Sequence, residues 1–376
     1  MHVVHIQSDG VSEYNSSQWR GRIIANAINR TEGNSCSLLN IDAWMKDAIR
    51  SELARADIII IERVLVEESV DRAKYWSALG KPVVIDIDDS YSLLSDQKDS
   101  GNQAARFWKE GIVDVNMGGY KFEKRLEVTP LEQFRQGLKY CAGLTMPSRI
   151  LAEDWQMYAP CYYVPNYIDP ERYLPHRQEL PHHSTEIVIG WGGSMSHKIS
   201  FERSGVAEGL RRLFRENQNV KFLLAGDERI LNILKLPSNR VIYQPYVNFL
   251  DWPRVLSRFD IGIAPLQGRY DSSRSSLKAA EYSTMGIPFV ATGCPTYSEW
   301  RETGTGWYVE DGPVEEANKR AEQWFLQLRD MVNNYDQYKL AIDQRFEYAR
   351  EWWIDNRVHD VLATYKTIIE RFHGRQ

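Results

Sequence analysis

Unbroken apolar runs constrain this chain more than any other feature. "ADIIIIERV" (Ala56–Val64) sets four isoleucines side by side, and "KPVVIDID" (Lys81–Asp88) follows with another run that shows no polar alternation. A strand of this kind is covered on both faces, as in parallel sheets lying between layers of helix. Similar runs recur along the chain. "HVVHI", "AGLTMPS" and "CYYVPN" belong to the first half. "EIVIGW", "VKFLLAG", "NRVIYQPY", "FDIGIAPL", "GIPFVAT" and "GWYVED" belong to the second. Amphipathic stretches such as "SFERSGVAEGLRRLFREN" and "DWPRVLSRF" separate them. Strand and helix therefore alternate in two successive series, which predicts an α/β chain with two doubly wound, Rossmann-like domains. A length of 376 residues fits two cores better than one.

The seam is expected in "YYVPNYIDPERYLPHRQELPHHSTE" (Tyr162–Glu186), which is rich in proline and lacks a hydrophobic period. That places one domain at residues 1–170 and a second at 171–354. Residues beyond Val314 read as almost continuous helix. The aromatic-rich terminal segment, 355–376, is expected to return to the first domain. In sheets of this kind ligands bind beyond the carboxyl ends of the strands, so the loops there are the places to look for chemistry.

Composition excludes several function classes. No apolar run reaches the roughly 20 residues that span a bilayer, and "MHVVHIQSDG" reads as a strand rather than a signal peptide. Four cysteines (Cys36, Cys141, Cys161, Cys294) lack metal-ligand spacing, so neither a structural zinc nor a disulfide framework is expected. The setting expected is cytoplasmic, with peripheral membrane attachment left open. A net charge of −5 argues against generic coating of nucleic acid, though not against a local basic cleft. Twelve tryptophans and twenty tyrosines serve core packing or stacking on sugars and bases. G-x-S-x-G and any ordered Ser-His-Asp or Cys-His set are missing, which leaves hydrolysis by a covalent nucleophile without support.

Four loops carry candidate chemistry. In "VIGWGGSMSHK" (Val188–Lys198), Gly192, Gly193 and Ser194 lie between a strand and a helix, with His197, Lys198 and Arg203 beyond. This is either a tight turn or an anion cradle built from backbone N–H groups and a helix N-terminus. In "PLQGRYDSSRSSLKAAEY" (Pro265–Tyr282), Lys278 and Glu281 are three residues apart and share a helix face. An isolated pair of that spacing is an ordinary ion pair. Here Gly286 and Pro288 end the helix at once and lead into a strand, which puts the pair at a cleft edge. "VVIDIDDSYSLL" (Val83–Leu94) presents Asp86, Asp88 and Asp89 after a strand, suited to capping a turn, orienting a hydroxyl, acting as a base or holding a metal. In the amino-terminal loop, Ser16 or Ser17 caps a helix whose first turn carries Trp19, Arg20 and Arg22.

Taken in order, these stretches resemble a family. "RVIYQPYVNFLDWPRVLSRFDIGIAPL", "SSLKAAEYSTMGIPFVAT" and "ETGTGWYVEDG" look like the donor half of GT-B glycosyltransferases of family four. "LKYCAGLTMPSRILAEDW" with "YYVPNYIDPERY" is similar to the family's passage into the linker. "IGWGGSMSHK" is similar to its glycine loop and "KPVVIDIDDS" to an acceptor-side motif. The resemblance covers nearly the whole chain. It implies a GT-B fold and transfer of a sugar from a UDP- or GDP-sugar, with no tightly bound cofactor, without metal and with retention. Lys278, Gly192, Gly193 and Lys198 would neutralise the diphosphate, and Glu281 would accept from ribose hydroxyls. Backbone at 243–247, including Tyr246, would hold the base. Amides of Arg274, Ser275 and Ser276 would reach the phosphates or the sugar.

Two departures stand out. Where many members carry a second glutamate, eight positions before Glu281, this chain has Ser273, with Asp271 nearby. A histidine expected after Asp89 has no counterpart, leaving Asp88 or Asp89, with Trp19 and Arg20, to orient the acceptor. The acceptor expected is a glycan, lipid or small molecule. The alternatives are a modified DNA base, given the bases Arg106, Lys109, Lys121, Lys124 and Arg125 in segment 96–128, and a non-catalytic nucleotide-sugar binder.

Overall fold

The computed structural model describes residues 1–8, 17–94, 103–117, 120–177 and 185–375. Ser16, part of segment 96–128 and part of the expected linker lie outside these residues. The chain divides into two compact units. The first is Met1–Asn166 with Ser273–Ser275 and Arg357–Gln376; the second is Tyr167–Ser272 with Ser276–Asn356.

The first unit is built on a six-stranded parallel sheet. Its strands are β1 (His2–Gln7), β2 (Ser35–Asn40), β3 (Ile58–Glu62), β4 (Val83–Asp86), β7 (Gly143–Met146) and β8 (Cys161–Tyr163), in the order β2-β1-β3-β4-β7-β8. The four isoleucines of β3 are all fully buried, which explains their lack of alternation. Each contributes roughly 1.5–3 kcal/mol by leaving water. β2 was not foreseen: "SCSLLN" is an edge strand, mostly half-buried, and its mixed composition reflects that place. Between β4 and β7, strands β5 (Ile112–Met117) and β6 (Tyr120–Arg125) form a separate antiparallel ribbon. On it Tyr120 and Phe122 are exposed.

The second unit repeats the plan. Strands β9 (Ile187–Gly193), β10 (Val220–Gly226), β11 (Val241–Gln244), β12 (Ile261–Ala264), β13 (Phe289–Thr292) and β14 (Trp307–Val309) form a parallel sheet, ordered β11-β10-β9-β12-β13-β14. The chain winds outward from β9 to β11, then returns to the other side of β9 with β12. Strand order therefore reverses between β9 and β12, the topological switch where such sheets bind ligands. Helices cover both faces. Trp191, Phe201, Leu210 and Trp324 belong to one core cluster, while Phe259, Tyr282, Phe289 and Trp300 belong to another. After β14 the chain is helical, ending in Ile354–His373. That helix buries Val358, Val361, Leu362, Tyr365 and Ile368 at helical spacing. Its residues from Arg357 onward belong to the first unit, and Arg371 lies over the Tyr162 ring there.

Candidate nucleotide site and its neighbours

Helix Leu277–Met285 follows β12 and the short helix Gly268–Ser272, and ends at Gly286, which takes the left-handed conformation (φ 68°) that stops a helix. Lys278 and Glu281 lie on it. Lys278 Nζ donates to the Gly192 carbonyl at 2.7 Å and sits 5.4 Å from the centre of the Trp191 ring. The end of β9 and the helix Leu277–Met285 are thereby joined through one cation.

Glu281 is only 3% exposed. Its Oε1 accepts from the Tyr173 hydroxyl and from Trp252 Nε1, both at 2.8 Å, while Oε2 accepts no hydrogen bond among the described residues. Burial raises its pKa above the ordinary carboxylate value, and the Lys278 charge with the Tyr173 and Trp252 bonds works against that rise. Neither Tyr173, from the short helix Pro170–Tyr173, nor Trp252, from Trp252–Leu256, was a sequence candidate. The aromatic residue in each of "DPERY" and "DWPR" was the only signal.

The glycines of β9 have a packing role. A Cβ on Gly192 would stand 2.2 Å from the Trp252 ring, and one on Gly190 would stand 2.1 Å from Phe259. These strand glycines let aromatic rings lie directly on the sheet. The Gly193 carbonyl accepts from Asp227 N–H (3.1 Å) and the Tyr246 hydroxyl (3.3 Å). Gly226 (φ 110°) packs against that same carbonyl, where a Cβ would come within 2.3 Å of the oxygen. Tyr243 and Tyr246 remain 40% and 52% exposed, giving two accessible rings beside the carboxyl ends of β9 and β10.

The other donor-side candidates fall into place differently. Ser194 is exposed and bonded to Ser196 (2.7 Å). His197 packs edge-on to Trp191. Lys198 pairs with Glu202 at 3.5 Å, one turn along its own helix. The Arg203 carbonyl accepts from Arg320. Asp271 is 2% exposed and its Oδ2 accepts from Ser200 Oγ (2.6 Å) and Gln267 N–H (2.9 Å). Gln267 itself, missed by the sequence reading, holds Gly312 O through Nε2 and leaves a buried Oε1 with no partner among the described residues. Ser276 Oγ accepts from Trp300 Nε1 at 3.1 Å. Ser273, Arg274 and Ser275 belong to the first unit, where Ser275 Oγ accepts from Asn166 Nδ2 at 3.0 Å.

In the first unit, Arg20 is 2% exposed. It grips Asp86 with Nε (2.9 Å) and Nη2 (2.6 Å), and Nη1 donates to Val164 O (2.5 Å) and Asn166 Oδ1 (3.1 Å). Burial opposes its charge, but Asp86 keeps its pKa raised. Arg20 thus ties strand ends together, with both edges of the guanidinium engaged, and Asp86 also accepts from Thr145 (2.7 Å). Asp88 forms a two-bond pair with Arg63 (2.8 and 2.7 Å). Arg63 holds φ 60°, rare for a side chain with a Cβ. Asp89 and Trp19 are half-buried. Next to the aspartates, the buried Tyr91 ring stacks on Trp108 at 3.9 Å.

Residues 188–326 match the family model described as Glycosyl transferases group 1. No curated protein matches the chain. Among solved structures, it is similar to Anabaena Alr3699/HepE in complex with UDP-glucose, at 12% identity, over 97% of this chain and 100% of that one, with a TM-score of 0.59. It is similar to an α-glucosyltransferase in complex with UDP and a 13-mer DNA containing an HMU base, at 11% identity over 97% and 99%, with a TM-score of 0.59. A Listeria monocytogenes protein assigned as a UDP-N-acetylglucosamine 2-epimerase gives 11% identity over 98% and 96%, with a TM-score of 0.55. Likenesses at these identities show the fold: two Rossmann-like domains of the GT-B kind.

Proposed function

We propose that the protein is a glycosyltransferase that uses a nucleotide-diphosphate sugar, with the nucleotide held at the carboxyl ends of β9, β10 and β12. The observation that carries this reading is the pairing on helix Leu277–Met285. Lys278 reaches the glycine loop at Gly192, and one turn on Glu281 offers a carboxylate oxygen with no other partner among the described residues. A diphosphate and a ribose present the complementary charge and hydroxyls. The matched segment 188–326 contains all of these groups except Tyr173. Tyr243 and Tyr246 supply ring surface for the base.

In this reaction the bond between the anomeric carbon and the diphosphate oxygen breaks, and an acceptor hydroxyl forms the new bond. The barrier is one of charge, since negative charge grows on the departing phosphate while the sugar becomes oxocarbenium-like. Lys278 and fixed N–H groups near Gly193 stabilise that phosphate as its charge develops. Retention and independence of metal belong to the proposal, with the leaving phosphate taking the acceptor proton. Gln267 Oε1 is suited to accept from a sugar hydroxyl, on a loop that Asp271 fixes through Ser200. Asp88 and Asp89 are proposed to orient the acceptor.

The acceptor proposed is a glycan, lipid or small molecule. A DNA base is the second reading, favoured by the relative solved with DNA and by the basic residues of the β5–β6 region, although Arg106 there is paired with Glu123. A thermal-shift screen of UDP, GDP and their sugars is the first test, because a ligand bound only by the folded state raises the melting temperature. Incubation of the stabilising sugar nucleotide with candidate acceptors then separates the outcomes. Labelled product supports transfer, an epimerised sugar nucleotide supports the epimerase chemistry of the Listeria relative, and unchanged donor supports a binder.

A further inference from the structure

We infer that strand β6 is a self-pairing edge through which two copies of this chain join, antiparallel and in one register centred on Phe122. The interface is independent of the nucleotide site proposed above.

The β5–β6 ribbon has no third strand among the described residues. All six residues of β6, Tyr120–Arg125, are exposed, whereas Ile112, Val113 and Val115 of β5 are half-buried. The open edge is therefore that of β6. Leu126 N–H donates to the Gly111 carbonyl at 2.8 Å, in the same register that pairs Val113 with Lys124 and Val115 with Phe122. Hydrogen-bonded and non-hydrogen-bonded pairs alternate along an antiparallel ladder. Lys124, Phe122 and Tyr120 thus direct their backbone groups to β5, and Lys121 and Glu123 direct theirs outward. Outward N–H and C=O groups on an edge form a template for another strand.

Charge selects the occupant and the register. A two-fold axis passing between two residues would set outward groups against inward ones, so the axis must pass through a residue. On Lys121 or Lys124 it sets that lysine against its own copy. On Glu123 it sets glutamate against glutamate, and Lys121 against Arg125. Like charges directly opposite are destabilising, and they deter these registers. On Tyr120 or Arg125 the two strands barely overlap. On Phe122 every pair is complementary: Lys121 lies opposite Glu123 twice, and Tyr120 opposite Lys124 twice. The two Lys121–Glu123 pairs are the outward-facing ones, so each exchanges backbone hydrogen bonds. Phe122 meets Phe122 at a non-hydrogen-bonded pair, where side chains approach most closely. Tyr120 and Phe122 share one face and are 80% and 49% exposed, so both rings have surface to bury, and Lys124 can lie on the Tyr120 ring. Glu123 Oε1 accepts from Arg106 of its own chain, so Oε2 serves the second copy's Lys121.

The test is analytical ultracentrifugation of the full chain over a range of concentrations, on wild type, Lys121→Glu and Glu123→Lys. Wild type is expected to pass from monomer to dimer as concentration rises. Each reversal sets like charges opposite at two places, because the symmetry repeats every contact, and should weaken the dimer by at least about tenfold. Both positions are exposed, so the melting temperature of dilute protein should hold. An equimolar mixture of the two variants restores opposite charges at both Lys121–Glu123 pairs and should recover the wild-type dimer. Wild type that stays monomeric at every concentration overturns the inference. If that monomer binds duplex DNA, and Lys121→Glu weakens the binding, the ribbon serves nucleic acid instead. A dimer that neither variant weakens uses another face and overturns the inference too, as do weakened variants that fail to associate when mixed.

Discussion

The indole of Trp252 fills the space that a side chain at residue 192 would need, its nearest ring carbon 2.2 Å from where the Cβ would be. The absence of a side chain is thus a packing requirement inside a strand that also faces the proposed ligand. Gly192→Ala is expected to cost about 1–3 kcal/mol through overpacking. It should also weaken nucleotide binding, because the displaced indole releases Glu281. Combining it with Trp252→Ala relieves the clash, so the double variant should be more stable than the sum of the two losses predicts. Strict additivity in denaturant melts would contradict this coupling.

Lys278 is half-buried, with its ammonium donating to the Gly192 carbonyl. Removing it by Lys278→Ala loses one hydrogen bond, about 1 kcal/mol of stability, yet takes away the charge opposite the diphosphate. Affinity for UDP or GDP should fall by at least about tenfold, with little change in melting temperature. Titration calorimetry beside a thermal melt distinguishes the two effects, and unchanged affinity would remove Lys278 from the site.

Burial raises the Glu281 pKa, so the group takes up its proton at a higher pH than an exposed glutamate does. Only the ionised form has both lone pairs of Oε2 available for a diol. Nucleotide affinity should therefore be full well above the raised pKa and decline as pH falls through it, before ordinary carboxylates titrate. Folding of the free protein carries the opposite sign: a pKa raised in the folded state means that ionisation costs stability as pH rises through that range. Glu281→Gln should flatten the affinity profile while lowering its plateau. A profile in the variant that still falls over the same range would assign the titration to another group.

The buried Arg20–Asp86 pair predicts a stability effect in place of a direct effect on a ligand. Arg20→Ala leaves Asp86 charged and short of its two guanidinium bonds, at a cost of about 3–5 kcal/mol. Donor affinity, proposed to rest on Lys278 and Glu281 of the second unit, should be preserved in whatever fraction remains folded. Denaturant melts with calorimetry on the same samples check this.

Asp88 makes a contrasting case, since its partner Arg63 carries the positive φ typical of strained functional loops. Asp88→Asn should leave UDP or GDP affinity unchanged and lower the transfer rate by at least about tenfold if the pair orients the acceptor. Steady-state rates with the acceptor found in the transfer screen measure it. An unchanged rate would assign the pair to loop structure alone.

The two sheets were legible because fully buried parallel strands cannot hide their composition. The run at Ile58–Ile61 and those of β9, β10 and β12 announce themselves. The edge strand β2 and the β5–β6 ribbon do not, since each carries polar groups to an exposed side. In the proposed site, the placing of Lys278 and Glu281 on one short helix could be read from their spacing and from the glycine that ends it. Tyr173 and Trp252 could not, because each bond to Glu281 joins segments far apart in sequence and periodicity reports faces rather than partners. Lys198 is open to two readings from sequence. Its spacing to Glu202 suggests the helical ion pair that the structure contains, and its place just after a glycine-rich loop suggests phosphate.

The terminal helix carries a consequence for synthesis. Because Arg357–Gln376 completes the first unit, that unit cannot close its core when its own amino-terminal strands leave the ribosome. The second unit, almost contiguous from Tyr167 to Asn356, has nearly all of its chain in hand sooner. Domains generally form in order of emergence during translation, and here part of the first unit emerges after the second. The six strands of the first sheet are all made by Tyr163, but the helical residues from Arg357 that belong with them follow only after the second unit has emerged.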